Sequence, residues 1–514
     1  MKKLLFILSL SALACLMLAL AVSAKDVYLE EIPNELKVEN DTATHFVVFE
    51  EEKYYTGTGA TINGFNNDQM DADMATAGID SSKIGSEYLT RFNVPSHLNG
   101  TLVTYVNLNG MKSNKYFWDK CGYLQLCGTV NKIHDINEAT DQLRCVDFGE
   151  NSQIKEIPFC FAPHSHKLQS IKNFPRNLDV IRQEAFNSCY IAFKGELYLN
   201  AKTIEVSAFN NAFGHLEGLI IGPDTQTIGR QSLCIRLSEV PSSHKPANDV
   251  LPLKYIEFQC DVSQVTFATQ GNNTGSFYFT GTSRSPYSML KCIILSHPNN
   301  AKDITEGSVF NDFTSSTVLF NDSDGLNDFV TTSHSYIDEG VVYDSFLEEG
   351  SKRLVCTNCE NVKSEATPVI FQCLGYSVIE FSNSPAFTIG YKLNTEALSA
   401  YEAATGNTVT YGILMTSRAN LGTNNPLDEN GNAITLEKGN VYVATLNRAT
   451  ACFDGIVKGF TTEEQKSAEL IVCAFATVKD AEGNVTFIDY LTEKDTNGSL
   501  MGVSYNSLTK EHVN

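Results

Sequence analysis

Between residues 89 and 295 the apolar positions fall into one recurring frame, apolar-x-x-apolar-x-apolar. It stands at Leu89/Phe92/Val94, Val103/Val106/Leu108, Cys121/Leu124/Leu126, Leu143/Val146/Phe148, Leu216/Leu219/Ile221, Leu253/Ile256/Phe258 and Leu290/Ile293/Leu295. Shorter copies stand at Leu168/Ile171 and Leu197/Leu199. The last two apolar positions lie two apart, which predicts a short strand with one face turned inward. A second frame follows, an aliphatic residue and then, four and five places on, a small residue and a large apolar one. It reads Ile181 to Ala185-Phe186, Ile204 to Ala208-Phe209, Ile228 to Ser232-Leu233 and Ile304 to Ser308-Val309-Phe310. The first three copies begin 23 and 24 residues apart, the length of one solenoid coil made of a strand and a return segment. A coil that buries roughly five or six apolar side chains gains about 1.5–3 kcal/mol from each. Ordering its backbone costs about 1–2 kcal/mol per residue. One coil cannot fold alone, so neighbours must stack.

The flanks follow other patterns. In residues 25–88, "THFVVF" (44–49) predicts a strand, "YTGTGATINGF" (55–65) a turn-rich segment, and 66–79 a short helix ending near Gly78. This stretch is expected to cap the solenoid, whose ends otherwise expose core. From 368 the alternation lengthens, in segments such as 369–381, 387–393, 408–417, 440–447, 451–460, 469–478 and 484–490. Asn430-Gly431 and Gly483-Asn484 mark turns, and a helix over 395–405 is capped by Asn394 and stopped at Gly406. The expected fold is therefore mainly β: a signal peptide (1–24), a small α+β N-terminal cap (25–88), a leucine-rich repeat solenoid (89–325), a linker carrying Cys-x-x-Cys (326–367) and a C-terminal β-sandwich (368–514).

The phrases "LQSIKNFPRNLDVIRQEAFNSC" (168–189) and "LEGLIIGPDTQTIGRQSLC" (216–234) resemble the leucine-rich repeats of BspA-like bacterial surface proteins. An Ile-x-x-x-Ala-Phe-x-x-Cys step closes each coil in that family, and Ile181, Ala185, Phe186 and Cys189 match it in full. The resemblance covers roughly residues 85–320. It departs from the family's regularity at the 37-residue coils 216–253 and 253–290, and the Ala-Phe step is missing near Val265. The segments 238–250 and 269–288 are expected to be loops leaving the solenoid. The "CLGYS" strand entry and "YEAATG" helix are similar to a C-terminal module that accompanies related repeat proteins. The family resemblance implies a role at the bacterial cell surface.

Lys2 and Lys3, an apolar run from Leu4 to Val22 and the small residues Val22-Ser23-Ala24 form an export signal cut after Ala24. Ala12 stands where a lipid-attachment signal at Cys15 would want an aliphatic residue. The expected location is secreted, with no membrane-spanning segment left after cleavage. The chain carries 38 Lys and Arg against 60 Asp and Glu; losing Lys2 and Lys3 leaves 36 minus 60, a net charge of -24. Such a surface repels phosphate backbones and anionic lipid, which argues against nucleic acid as a partner. Thirteen cysteines outside the leader, scattered with one close pair, do not make a dense disulfide scaffold and read as small buried apolar residues.

That pair, Cys356 and Cys359, has the spacing of half a zinc site, with Cys373 and His334 as nearby candidates for completing it. A structural zinc, a local disulfide and a degenerate remnant are the three readings; no other cofactor is expected. Gly57-Thr-Gly59 reads as a turn, as do Asp322-Ser-Asp324-Gly325 and Asp428-Glu-Asn430-Gly431, whose first calcium-ligand positions hold Phe320 and Pro426. His164-Ser-His166 reads as exposed polar residues, and no nucleophile motif or spaced carboxylate pair stands out. If frame positions one, four and six point inward, position five points outward, and stacking makes a row of Asp147, Lys172, Tyr198, Ile220, Glu257 and Ile294, with Lys254 and Tyr255 beside it. Such a mixture of aromatic, aliphatic and charged groups suits contact with an extracellular protein or glycan. The expected function is adhesion or binding without catalysis; a secreted hydrolase of glycans or peptidoglycan using the repeats as a targeting arm is the rival, and a structural envelope component a third reading.

Overall fold

The computed structural model describes residues 28–37, 44–134, 142–236, 239–247, 250–268, 276–280, 290–300, 330–379, 385–417, 440–442, 451–491 and 502–511. The signal peptide, the repeat copy at Ile304 and the turns at Asp322 and Asp428 lie outside them. The described chain is mainly β. It divides into two compact units, one running through His334 and taking in Asn358–Glu360, the other made of Ser335–Thr357 with Asn361 onward.

Among the described residues of the first unit, the three longest sheets are ladders of mostly parallel strands. In one, Tyr28–Glu31 pairs antiparallel with His45–Phe49, and parallel strands Tyr88–Asn93, Cys121–Gln125, Cys145–Asp147 and Ser170–Lys172 follow. The second runs Lys194–Leu199, His215–Ile221, Tyr255–Phe258, Cys292–Leu295 and Val330–Thr331, all parallel. The third runs Glu156–Ile157, Leu178–Ile181, Ala201–Ile204, Thr227–Ile228 and Thr266–Phe267, also parallel. Chain order equals ladder order in each, because a strand reaches a parallel neighbour only through a crossover. The strand expected within the cap region, His45–Phe49, is thus part of a ladder that later parallel strands continue. Its helix spans Asn67–Thr76, with Asn66 accepting the Gln69 N–H at 3.2 Å and Met70 and Met74 in the core.

Apart from Leu89, the apolar positions of the frame pack into or against one core. Phe186 is fully buried; its ring lies 5.4 Å from Phe209, stacked at 17°, and 5.4 Å from Phe193. The return steps between strands are themselves laddered: the Phe186 N–H donates to the Ala208 carbonyl at 2.8 Å and the Phe209 N–H to Ser232 at 2.9 Å. They repeat their backbone angles, with φ of 47°, 57°, 56° and 54° at Cys160, Glu184, Ser207 and Gln231, and 55°, 60° and 59° at His164, Ser188 and Asn211. A non-glycine residue pays about 1–2 kcal/mol for this left-handed conformation. Its recurrence at successive return steps follows from the hydrogen bonds between those steps.

In the second unit, residues 336–367, expected to link domains, form a three-stranded antiparallel sheet of Tyr336–Val342, Gly350–Cys356 and Val362–Thr367. Two further antiparallel sheets follow. One holds Phe371–Ile379, Ala386–Leu393 and Cys452–Lys458; the other holds Asn440–Tyr442, Thr408–Ser417, Leu470–Lys479 and Val485–Leu491. Phe387, Ile389, Tyr391 and Phe453 of the first share a buried cluster with Ile413, Val472, Ala474 and Leu491 of the second. The helix Thr395–Thr405 is capped by Asn394, which accepts the Ala397 N–H at 3.0 Å, and ends at Gly406 with φ of 71°.

Candidate functional site

The fifth frame positions do face away from the core, but they do not form one exposed row. Asp147 aligns with Lys172 in the first ladder, whereas Tyr198, Ile220, Glu257, Ile294 and Thr331 align in the second. Asp147, Ile220, Glu257 and Ile294 are buried, as is Tyr255 beside them; Lys172, Tyr198 and Lys254 are half-buried. The expectation of solvent contact along the whole row is therefore corrected. Two covers account for it. Over the first ladder, Ile32 and Leu36 bury themselves against Phe46, Val48, Leu89, Tyr123 and Cys145, and Gln169 Nε2 donates to the Leu36 carbonyl at 2.7 Å. Over the far end of the second, His334 lies edge-on to the Tyr255 ring at 4.9 Å, and Asn358 Nδ2 donates to the Ser333 carbonyl at 3.2 Å.

Each buried polar residue of the row has partners that explain it. Asp147 Oδ1 accepts the Gly149 N–H and Asn173 Nδ2, both at 2.9 Å, and so shapes the turn leaving its strand. Glu257 accepts Ser296 Oγ at 2.8 Å and Gln259 Nε2 at 3.1 Å, and stands 3.6 Å from His334 Nε2. Burial pushes its carboxyl pKa up, but the His334, Ser296 and Gln259 contacts together outweigh this and hold it below the ordinary value. The Tyr255 hydroxyl reaches across Gly218 and donates to Glu196. Only glycine allows this, since a Cβ at position 218 would stand 2.4 Å from the ring.

What stays open is the stretch where the first ladder ends and the second begins. Lys172 lies over the Tyr123 ring at 6.0 Å. Beside it the turns 149–153 and 173–177 enclose a polar hollow of about 620 Å³, lined among others by Asn151, Asn173, Phe174, Arg176 and Asn177. Asn151 and Asn173 take left-handed angles, φ 55° and 51°, the conformation asparagine tolerates best after glycine. Along the neighbouring turns Asn200 Nδ2 donates to Asn177 Oδ1 at 3.3 Å and to Asp224 Oδ2 at 2.9 Å. Burial and then the Asp224 carboxylate push the Tyr198 phenol pKa up, so it remains a neutral hydrogen-bonding group at physiological pH. The sequence frame did not reveal this hollow, because its residues sit in turns and not on the strands; the asparagines spaced one coil apart were the available signal.

Of the cysteine pair expected to bind metal, Cys359 stands beside His334 within the first unit, whereas Cys356 belongs to the second. His334 Nδ1 is 3.3 Å from Cys359 Sγ, and both cysteines are fully buried. Cys373, the other cysteine named for this site, is exposed and pairs instead with Tyr391 across a strand pair. His164 and His166 stand 6.1 Å apart, and His166 stacks on Tyr190 at 5.0 Å. Gly57 and Gly59 lie in the hairpin joining Tyr55–Gly57 to Thr61–Phe65. No helix among the described residues is long and apolar enough to cross a membrane. No protein-family model matches the chain, and no curated protein or solved structure matches it.

Proposed function

We propose that this chain is an exported, leucine-rich repeat binding protein that recognises an extracellular protein or glycan without acting on it. In this reading the parallel ladders are the coils of one solenoid, and the two antiparallel sheets from Phe371 onward are a β-sandwich. The observation that carries the proposal is the open polar hollow between turns 149–153 and 173–177, whose Arg176 is a charge neighbour of half-buried Tyr198. Amide side chains with one aromatic face and one guanidinium suit the hydroxyls of a sugar or the backbone of a peptide. Glu150 is the only carboxylate among the lining residues, which supports binding over hydrolysis, since glycoside cleavage uses a flanking pair. The acidic net charge of -22 supports an uncharged or basic ligand over a polyanion. Screening the full chain on glycan and protein arrays tests this, with Tyr198→Ala and Arg176→Ala as variants. Binding that both variants weaken by tenfold or more supports the hollow; unchanged binding removes it, and steady release of product from a polysaccharide overturns the non-catalytic reading.

A further inference from the structure

The three-stranded sheet of the second unit ends in two borders of opposite character. We propose that its Val362–Thr367 border pairs antiparallel with the same border of a second copy of this chain, giving a two-fold dimer with one continuous sheet. Among the described residues the strand has a neighbour, Gly350–Cys356, on one side only, in unbroken register from Gly350/Thr367 to Val355/Val362. Residues 362–366 are exposed. The other border, Tyr336–Val342, is guarded. Its register shifts between Asp338 and Gly340, where φ is 118°, and such a bulge turns an edge away from further pairing. The Val362–Thr367 border has no bulge, and Pro368, which lacks an N–H, follows it.

The hydrogen-bond pattern fixes how a second copy fits. The Cys356 N–H donates to the Asn361 carbonyl at 2.9 Å, so those two residues form a hydrogen-bonded pair. Antiparallel pairs alternate, which makes Leu354/Lys363 and Lys352/Glu365 hydrogen-bonded as well. Lys363 and Glu365 therefore turn their backbone groups inward, and Val362, Ser364 and Ala366 turn theirs outward. A two-fold pairing centred on Ser364 joins Val362 to the second copy's Ala366 and Ser364 to its own counterpart, so that each outward amide meets a carbonyl. The same register sets Lys363 opposite the second copy's Glu365, as a non-hydrogen-bonded pair whose Cα atoms approach to about 4.5 Å, where opposite charges attract. Sliding one strand to the next allowed register would set Lys363 against Lys363, or Glu365 against Glu365. The charges thus select one register. Both side chains stand on one face of the sheet. Lys363 Nζ lies over the Tyr336 ring at 4.9 Å, and Lys352, which faces Glu365 within the sheet, is held by Asp338 at 3.1 Å.

The inference is independent of recognition at the hollow. A single short border makes a small interface of the transient class, so association is expected at micromolar and not nanomolar concentration. The test is sedimentation equilibrium of the full chain over a series reaching the millimolar range, where monomer–dimer exchange should appear. Lys363→Glu sets glutamate opposite glutamate and Glu365→Lys sets lysine opposite lysine, so each variant alone should dimerise roughly tenfold more weakly or worse. An equal mixture of the two variants should recover the dimer, because its cross-strand pairs are again of opposite sign. Ser364→Pro removes an outward N–H and none that holds the chain's own sheet, and should also abolish the dimer. Both charged side chains are exposed, so neither charge change touches the core. A parent chain that stays monomeric throughout the series overturns the proposal. So does a dimer that both charge variants retain, or a mixture that associates no better than either variant alone.

Discussion

Replacing Phe186 by alanine tests whether the coils share one core. The ring is fully buried, stacked on Phe209 at 5.4 Å, and also contacts Phe193 at 5.4 Å and Phe161 at 5.7 Å. Removing a buried phenylalanine costs about 3–5 kcal/mol when the site cannot collapse. Here both flanking coils are fixed by backbone hydrogen bonds on either side of the ring, including Phe186 N–H to Ala208 and Ala162 N–H to Ala185, both at 2.8 Å. A loss of about 4 kcal/mol follows, and at a denaturant sensitivity of about 3 kcal/mol per molar urea the midpoint falls by roughly 1.3 M. The chain's single tryptophan, Trp118, packs against the same cluster of the first unit, so its fluorescence reports that unit alone. Phe453→Ala, in the core of the second unit, should leave the tryptophan transition in place. A Phe186→Ala midpoint within about 0.2 M of the parent's, with an unchanged slope, would show that the ring carries little of the stability and that the shared core is misjudged.

Further outcomes are expected. Ser207→Gly relieves a left-handed backbone at φ 56°, and after the extra freedom glycine gives the unfolded chain it should raise stability by about 0.5–1 kcal/mol, read from the same urea curves; a loss refutes the strain. Burial raises the Asp73 carboxyl pKa, but hydrogen bonds from Lys53, Tyr54 and Gln69 lower it more, so its folded value lies below the unfolded one. Its contribution is then complete above the unfolded pKa and lost as pH falls through the folded one. Asp73→Asn should therefore destabilise at pH 7, with the gap to the parent narrowing below about pH 4; a gap that does not change with pH removes the ionic origin. Tyr255→Ala should cost about 3 kcal/mol or more in stability because the ring is buried beneath His334, whereas half-buried Tyr198→Ala should leave the melting temperature within a few degrees; thermal melts of both decide whether the covered and open halves of the face are correctly assigned.

The strand positions were legible because alternation is local: Leu124 and Leu126, or Val146 and Phe148, must point the same way whatever lies beyond them. The helix at 395–405 was legible for the same reason, since Asn394 and Gly406 act on their own turn. The covering of the outward face was not. It depends on contacts between distant parts of the chain, Leu36 with Gln169 and Glu257 with His334, and each buried carboxylate is made tolerable by partners that no spacing rule brings together. The 37-residue interval before Leu253 does not break the ladder, for Tyr255–Phe258 pairs directly with His215–Ile221. The cysteine pair was visible from spacing alone, but the placing of His334 between Cys359 and Glu257 was not.

The strand Tyr28–Glu31 runs against its neighbour, unlike every later strand of that ladder. A parallel ladder that began with a bare edge would offer its unpaired amides to the end of another molecule, and copies could add head to tail into a fibre. The reversed strand presents a differently spaced set of amides and exposes Glu30 and Glu31 along that border. A second copy adding in parallel to that border would meet mismatched pairing, which disfavours head-to-tail addition there.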